Sequence, residues 1–488
     1  MKNIKWLYPV LALLVCGAGI WLFQNVFKAN DYENRLPAQP KALAVINITK
    51  LADEAGLDEK KSGEWNVLSG QFESVGLDWS KPVYAFVTSR ELVGMLSAVS
   101  DEDMLVESIK AHQEKEQCEF LGDYQGYQWA LYEKSWLLGF DDEAALLMGP
   151  VIASDLNMMR AEMLRCFHQD KDESGCSSRL FAEISDRDAS MTMSSTLDVL
   201  PNSFNETFKM GLPGHATLGD IRMVADFRFT PRDLIVNCEI GSDKQEVNAY
   251  YEKMTVINGK LSGVFSTDLR PNTLLWASAN VEGKSLLRLL RKDPDIRTFL
   301  IGLNMGVDAD RMISSISGDV AVRIDSISTG RRYAYSLSAE LSDHSFLDEA
   351  DYWIQSAAKQ SDWTLNKWSE NNFYAAMPGW QCYFGVRNDW LYLASSEITA
   401  KNMFKQHSDV LSSWQKDLKE SRFFIWVNMS EVVNSPYVKS WMEMSGNEIW
   451  QEKLNVLETF AVRSTDPRHI AFKLTAKEGV NLMNELLK

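Results

Sequence analysis

Tyr333–Ile354 reads YAYSLSAELSDHSFLDEADYWI, and its period changes halfway along. Tyr333, Tyr335, Leu337, Ala339 and Leu341 alternate with smaller or polar residues, as in a half-buried strand. After Ser342-Asp343, the residues Phe346, Leu347, Ala350, Trp353 and Ile354 fall at helical spacing. Such an apolar stripe can lie back on the sheet that precedes it.

The same strand-into-helix unit recurs along the chain. Ala42–Asn47 (ALAVIN) runs into ITKLADEAGL, and Leu274–Asn280 (LLWASAN) into VEGKSLLRLL. Met191–Ser195 (MTMSS) leads into TLDVLPNSF, and Phe423–Asn428 (FFIWVN) into MSEVV. Asn47 and Asn280 stand 233 positions apart, and so do Ser195 and Asn428. One offset shared by two independent pairs points to a tandem duplication. Asn and Ser suit a strand-to-helix junction because their side chains accept from a free N–H of the first turn. Their recurrence therefore has a structural cause and marks no ligand site.

Each unit continues with a hairpin and a closing helix. The hairpins are Val83–Val87 with Leu92–Val99, Met223–Phe229 with Leu234–Ile240, Val320–Ile324 with Tyr333–Leu341, and Phe460–Arg463 with Ile470–Leu474. Ser242 with Gln245, and Thr475 with Glu478, have capping-box spacing and place closing helices there. Two units carry an extra three-stranded meander: Tyr127–Tyr132, Trp136–Phe140 and Ala144–Met148, echoed by Phe373–Met377, Gln381–Val386 and Trp390–Ala394. The expected fold is α+β: four β-α-β-β-α modules with largely antiparallel sheets, arranged as a tandem duplication, behind one N-terminal transmembrane helix.

The expected helix is Trp6–Phe23 (WLYPVLALLVCGAGIWLF), uncharged over a length that crosses a bilayer. Lys2 and Lys5 precede it and favour export of the chain beyond it. Residues 1–27 are thus read as a membrane anchor, with lipidation at Cys16 or signal cleavage as the alternatives. Residues 28–41, polar with two prolines, read as a linker. The first duplicated half spans 42–258 (long unit 42–166, short unit 189–258) and the second 270–488 (long unit 270–410, short unit 420–488). A chain of 488 residues is long enough for such a division.

Composition narrows the partners. Lys+Arg 50 against Asp+Glu 67 give a net charge of −17, a surface that repels nucleic acid and anionic lipid head groups. Of the six cysteines, Cys166 and Cys176 flank a polar loop that a disulfide could close in an oxidising compartment. Cys238 and Cys382 lie in apolar strand-like runs and read as buried thiols.

No catalytic motif is found: no zinc pair among the six histidines, no nucleophile elbow, no phosphate-cradling loop. His112 reads as a packed side chain at the edge of an apolar stripe. Asp170–Gly175 (DKDESG) imitates the start of a calcium loop, but its twelfth position is Phe181, where an acid is needed. Asp141-Asp142-Glu143 reads as a hairpin turn, since its duplicate is Arg387-Asn388-Asp389. Trp363, Trp368, Phe373, Tyr374, Trp380, Tyr383 and Phe384 crowd one stretch; they either fill a sheet core or grip a partner. No catalytic residue, metal or cofactor is assigned.

An N-terminal anchor, a Pro-containing linker, the ALAVIN-like opening strand and a duplicated body together resemble bacterial cell-envelope families of unknown function. The resemblance implies an inner-membrane, single-pass protein with a periplasmic ectodomain. The expected function is a non-enzymatic binding or scaffold role toward an envelope protein, lipid or glycan. The alternative is an extracytoplasmic hydrolase whose site assembles only in three dimensions.

Overall fold

The computed structural model describes residues 31–57, 75–199, 216–253, 256–257, 259–270, 272–327, 333–357, 364–377, 380–404, 410–445 and 448–487. Two compact units divide the chain: Met1–Gln245 with Glu478–Lys488, and Glu246–Lys477.

The first unit holds β1 (Ala42–Ile46), β2 (Val83–Val87), β3 (Val93–Ala98), β4 (Cys118–Tyr124), β5 (Tyr127–Tyr132), β6 (Trp136–Phe140), β7 (Ala144–Gly149), β8 (Met191–Thr196), β9 (Ile221–Phe229) and β10 (Asp233–Ser242). These pair in the order β4-β5-β6-β7-β3-β2-β1-β8-β9-β10, every neighbour antiparallel.

The second unit holds β11 (Leu275–Glu282), β12 (Ile316–Ile327), β13 (Tyr333–Leu341), β14 (Thr364–Ser369), β15 (Asn372–Met377), β16 (Trp380–Arg387), β17 (Trp390–Ala394), β18 (Phe423–Asn428), β19 (Leu457–Ser464) and β20 (His469–Ala476). Their order is β14-β15-β16-β17-β13-β12-β11-β18-β19-β20, again antiparallel throughout. Strand for strand, the two orders are the same.

The expected fold class is corrected by this arrangement. The four β-α-β-β-α modules do not keep sheets of their own. β1 pairs with β2 on one side and β8 on the other, and β11 likewise with β12 and β18. The opening strands thereby satisfy each other's ladder groups, which would otherwise be open edges. Each unit is one continuous ten-stranded antiparallel sheet. The expected transmembrane helix, Trp6–Phe23, lies outside the described residues. Among those described, no helix is long and apolar enough to cross a membrane.

Helices cover the sheets through apolar faces. In the first unit Met159, Met163 and Phe167 of helix Leu156–His168 pack with Tyr84, Phe86, Leu96, Trp129 and Leu146. In the second, Phe346 and Trp353 pack with Phe373, Phe384 and Leu391. Residues 28–41 are not a free spacer over their described part. Tyr32 and Leu36 are buried, Tyr32 Oη donates to Pro82 O at 2.6 Å, and Tyr84 Oη donates to Glu33 Oε1 at 2.7 Å. Burial, reinforced by neighbouring groups that include Glu33, pushes both phenols above their ordinary range.

Candidate functional site

The shared strand order places equivalent residues by register, and one row differs in chemistry. In the first unit Leu43 stands opposite Phe86, which stands opposite Gly94. All space there is filled: a Cβ on Gly94 would meet the Phe86 ring at 2.4 Å, so glycine is what that ring requires. In the second unit the same row reads Trp276, Arg323, Ser336. A buried guanidinium stands where the first unit has a phenyl ring.

Arg323 is 4% exposed. Its Nε faces Asp325 Oδ1 at 3.1 Å, and its Nη1 lies 3.4 Å from Asp268 Oδ2 and donates to the Asp268 carbonyl. Asp325, itself buried, accepts from Thr273 Oγ1 at 2.9 Å and faces Arg270 Nη1 at 3.6 Å. Burial pushes the Asp268 carboxyl above its ordinary value, and the Arg323 charge pulls it back only in part. Arg323 Nη2 is buried with no hydrogen-bond partner.

The Arg323 guanidinium lines a cavity together with Phe265, Asp268, Trp276, Ala321, Ser336 and Ser338. Its volume is about 10 Å³, room for one water and no more. A single acceptor seated there would satisfy a donor that is costly to leave unmet. The cavity is too small for a glycan or a peptide.

A second feature lies beyond β11 in the chain. Helix Gly283–Leu290 runs into helix Pro294–Asn304. On the second helix Ile296, Leu300 and Leu303 turn inward, and Leu300 is buried. Ile301 and the C-cap Met305, one turn apart on the outward side, are 60% and 62% exposed, and Phe299 is 59% exposed on the other flank of the helix. Ser356 Oγ donates to Met305 O at 3.3 Å, which sets helix Ala350–Ala357, with Tyr352 68% exposed, beside this end. An outward helical face is ordinarily polar; this one sets Ile301 and Met305 among Arg297, Thr298 and Asn304.

The residues singled out from the sequence have structural partners. Asp141 and Glu143 clamp Arg35, with Nη1 to Asp141 Oδ1 at 2.5 Å and Nη2 to Glu143 Oε2 at 2.6 Å. The acidic turn thus holds the N-terminal segment. Cys166 and Cys176 are both free thiols in one core, and Cys176 Sγ donates to Glu33 O at 3.0 Å. Burial pushes the Cys166 thiol up to about 12 and raises that of Cys176 as well. The Asp170–Gly175 loop forms short turns in which Gly175 N donates to Leu36 O. Among the described residues no group of His, Cys, Asp and Glu is arranged to hold a metal.

His112 Nδ1 lies 2.8 Å from Ser108 O. Of the aromatics, Phe373 and Phe384 stack in the core and Trp380 packs against it. Trp368, Tyr374 and Tyr383 remain partly exposed, and Trp363 lies outside the described residues. Neither Arg323 nor the 294–305 helix was indicated by the sequence.

Residues 65–478 match the family described as a domain of unknown function, DUF4836. The chain belongs to that family. No curated protein matches it. Among solved structures, crystal form IV of TP0453 is similar at 8% identity over 43% of this chain and 81% of that chain, with a TM-score of 0.29. Crystal form III is similar at 8% identity over 75% and 93%, with a TM-score of 0.22.

Proposed function

We propose that the chain is a non-enzymatic binding or scaffold protein of the bacterial envelope, held at the inner membrane by residues 1–27. Its contact surface is the outward face of helix Pro294–Asn304. The observation that supports this is the exposure of Ile301 and Met305, one turn apart on the outward side of a short helix and its C-cap. Covering each would gain on the order of 1–2 kcal/mol, from about 25 cal/mol per Å² of apolar surface. Grouped exposed apolar side chains of this kind mark contact sites. The hydrolase alternative gains nothing from the Arg323 cavity, whose volume of about 10 Å³ leaves room for no more than one water.

The test is a photo-crosslinking residue at position 305 in living cells. A discrete adduct is expected there, and none from the same probe at an exposed polar position such as Asp123. No adduct at 305, or equal adducts at both, overturns the reading.

A further inference from the structure

We propose that this face docks on an anionic lipid surface; the inference rests on the proposed binding role and names its partner. The carrying observation is a local reversal of charge. Over Gly283–Met305 the chain has Lys284, Arg288, Arg291, Lys292 and Arg297 against Asp293 and Asp295, within a protein of net charge −17. All five cations are exposed.

Their positions are ordered. Lys284, Arg288, Arg291 and Lys292 recur at i, i+4, i+7 and i+8, one stripe along helix Gly283–Leu290 and its C-terminal end. Arg297, Ile301 and Met305 recur at i, i+4 and i+8 on the next helix, so a cation heads the exposed apolar stripe. Arg291 pairs with Asp310, and Arg288 Nη2 donates to Ser285 Oγ at 2.6 Å. Lys284, Lys292 and Arg297 make no ion pair among the described residues. Of the two acids, Asp293 is spent as the cap of the second helix, accepting from Asp295 N and Ile296 N.

An anionic bilayer accepts both halves of this pattern at once. Head-group phosphates take the cations, and the acyl boundary takes Ile301 and Met305. The net-acidic protein as a whole is repelled by the same surface, which favours approach through this basic element. An acidic protein partner would match the cations but leave Ile301 and Met305 without a matching surface.

The experiment is hydrogen–deuterium exchange of the full chain with vesicles of phosphatidylcholine alone or with one quarter phosphatidylglycerol. Peptides spanning 283–305 should gain protection only with phosphatidylglycerol, and lose it in molar salt. The variant K284Q/K292Q/R297Q should weaken this by on the order of 100-fold. Unchanged exchange in β12 and β13 reports that the variant is folded. Protection that is absent, or equal on both vesicles, overturns the inference. An in-cell adduct at position 305 to a protein, without lipid-dependent protection, sinks the lipid assignment and leaves the binding role standing.

Discussion

Arg323 shows how far a residue's role can be read without its neighbours. The alternation Val320, Val322, Ile324 marks an inward face, yet Asp319, Ala321, Arg323 and Asp325 on the other face are the more deeply buried. Both faces of β12 are covered, and period-2 reasoning names only one of them. Asn47 and Asn428 were legible because a cap is a local device: they accept from Lys50 N and Glu431 N. Asn280 misled for the same reason. β11 continues to Glu282, which caps instead, while Asn280 Nδ2 donates to Asp319 Oδ1 at 3.2 Å.

For Arg323→Ala we expect a loss of about 3–5 kcal/mol, since Asp268 and the buried Asp325 lose their nearest cation and keep only the more distant Arg270. The loss should depend on pH with a definite sign. A carboxyl raised in the folded state binds its proton more tightly there than in the unfolded chain. The stability it contributes is present in acid and falls as pH rises through the raised value. Removing Arg323 takes away the group that pulls Asp268 down. The cost of R323A in urea melts should therefore be smaller at about pH 4 than at about pH 7. A cost that does not change with pH contradicts burial as the cause.

Among the elements, central strands were read well, and of the strands that end each order β10 and β20 were read while β4 and β14 were missed. Tyr333–Leu341, Val83–Val87, Tyr127–Tyr132 and Trp390–Ala394 stand at the boundaries their alternation gives. β4 and β14 did not, for a physical reason. Each lies beyond the meander with much of its length exposed. Each also breaks step with its partner, between Phe120 and Gly122 and between Lys367 and Ser369. A bulge interrupts the period and blunts an edge against unwanted pairing. The segment 259–266 has no periodicity either, but it is fastened. Ser262 N, Ser262 Oγ and Gly263 N donate to the Asp319 carboxylate at 3.2, 2.9 and 2.8 Å. Hydrogen bonds to a charged acceptor are the stronger kind. Asp319→Ala should cost on the order of 3 kcal/mol. Exchange protection should fall at 261–266 before it falls in β11. Equal loss in both would mean that the clip does not hold the segment.

At the scale of the molecule, the offset of 233 between Asn47 and Asn280 joins β1 to β11, which occupy the same place in two identically ordered sheets. What local patterns do not write is which strand lies beside which, so the β1–β8 and β11–β18 pairings were invisible. The last residues are a second case. Glu478–Lys488 come after β20 yet belong to the first unit. Met483 is fully buried with Ile46, Ile48, Leu51 and Phe229. Asn481 Nδ2 donates to Ala55 O and Leu482 N to Pro231 O, both at 2.8 Å. A helix of six residues has little stability alone and exists here because that core receives it. Met483→Ala should cost about 2–5 kcal/mol, set by the cavity it leaves. Removing residues 478–488 should lower exchange protection in β1, β2 and β8 while β12 and β13 keep theirs. Loss confined to β12 and β13 would mean that the closing helix supports the sheet it succeeds in sequence, and the assignment of these residues to the first unit would fail.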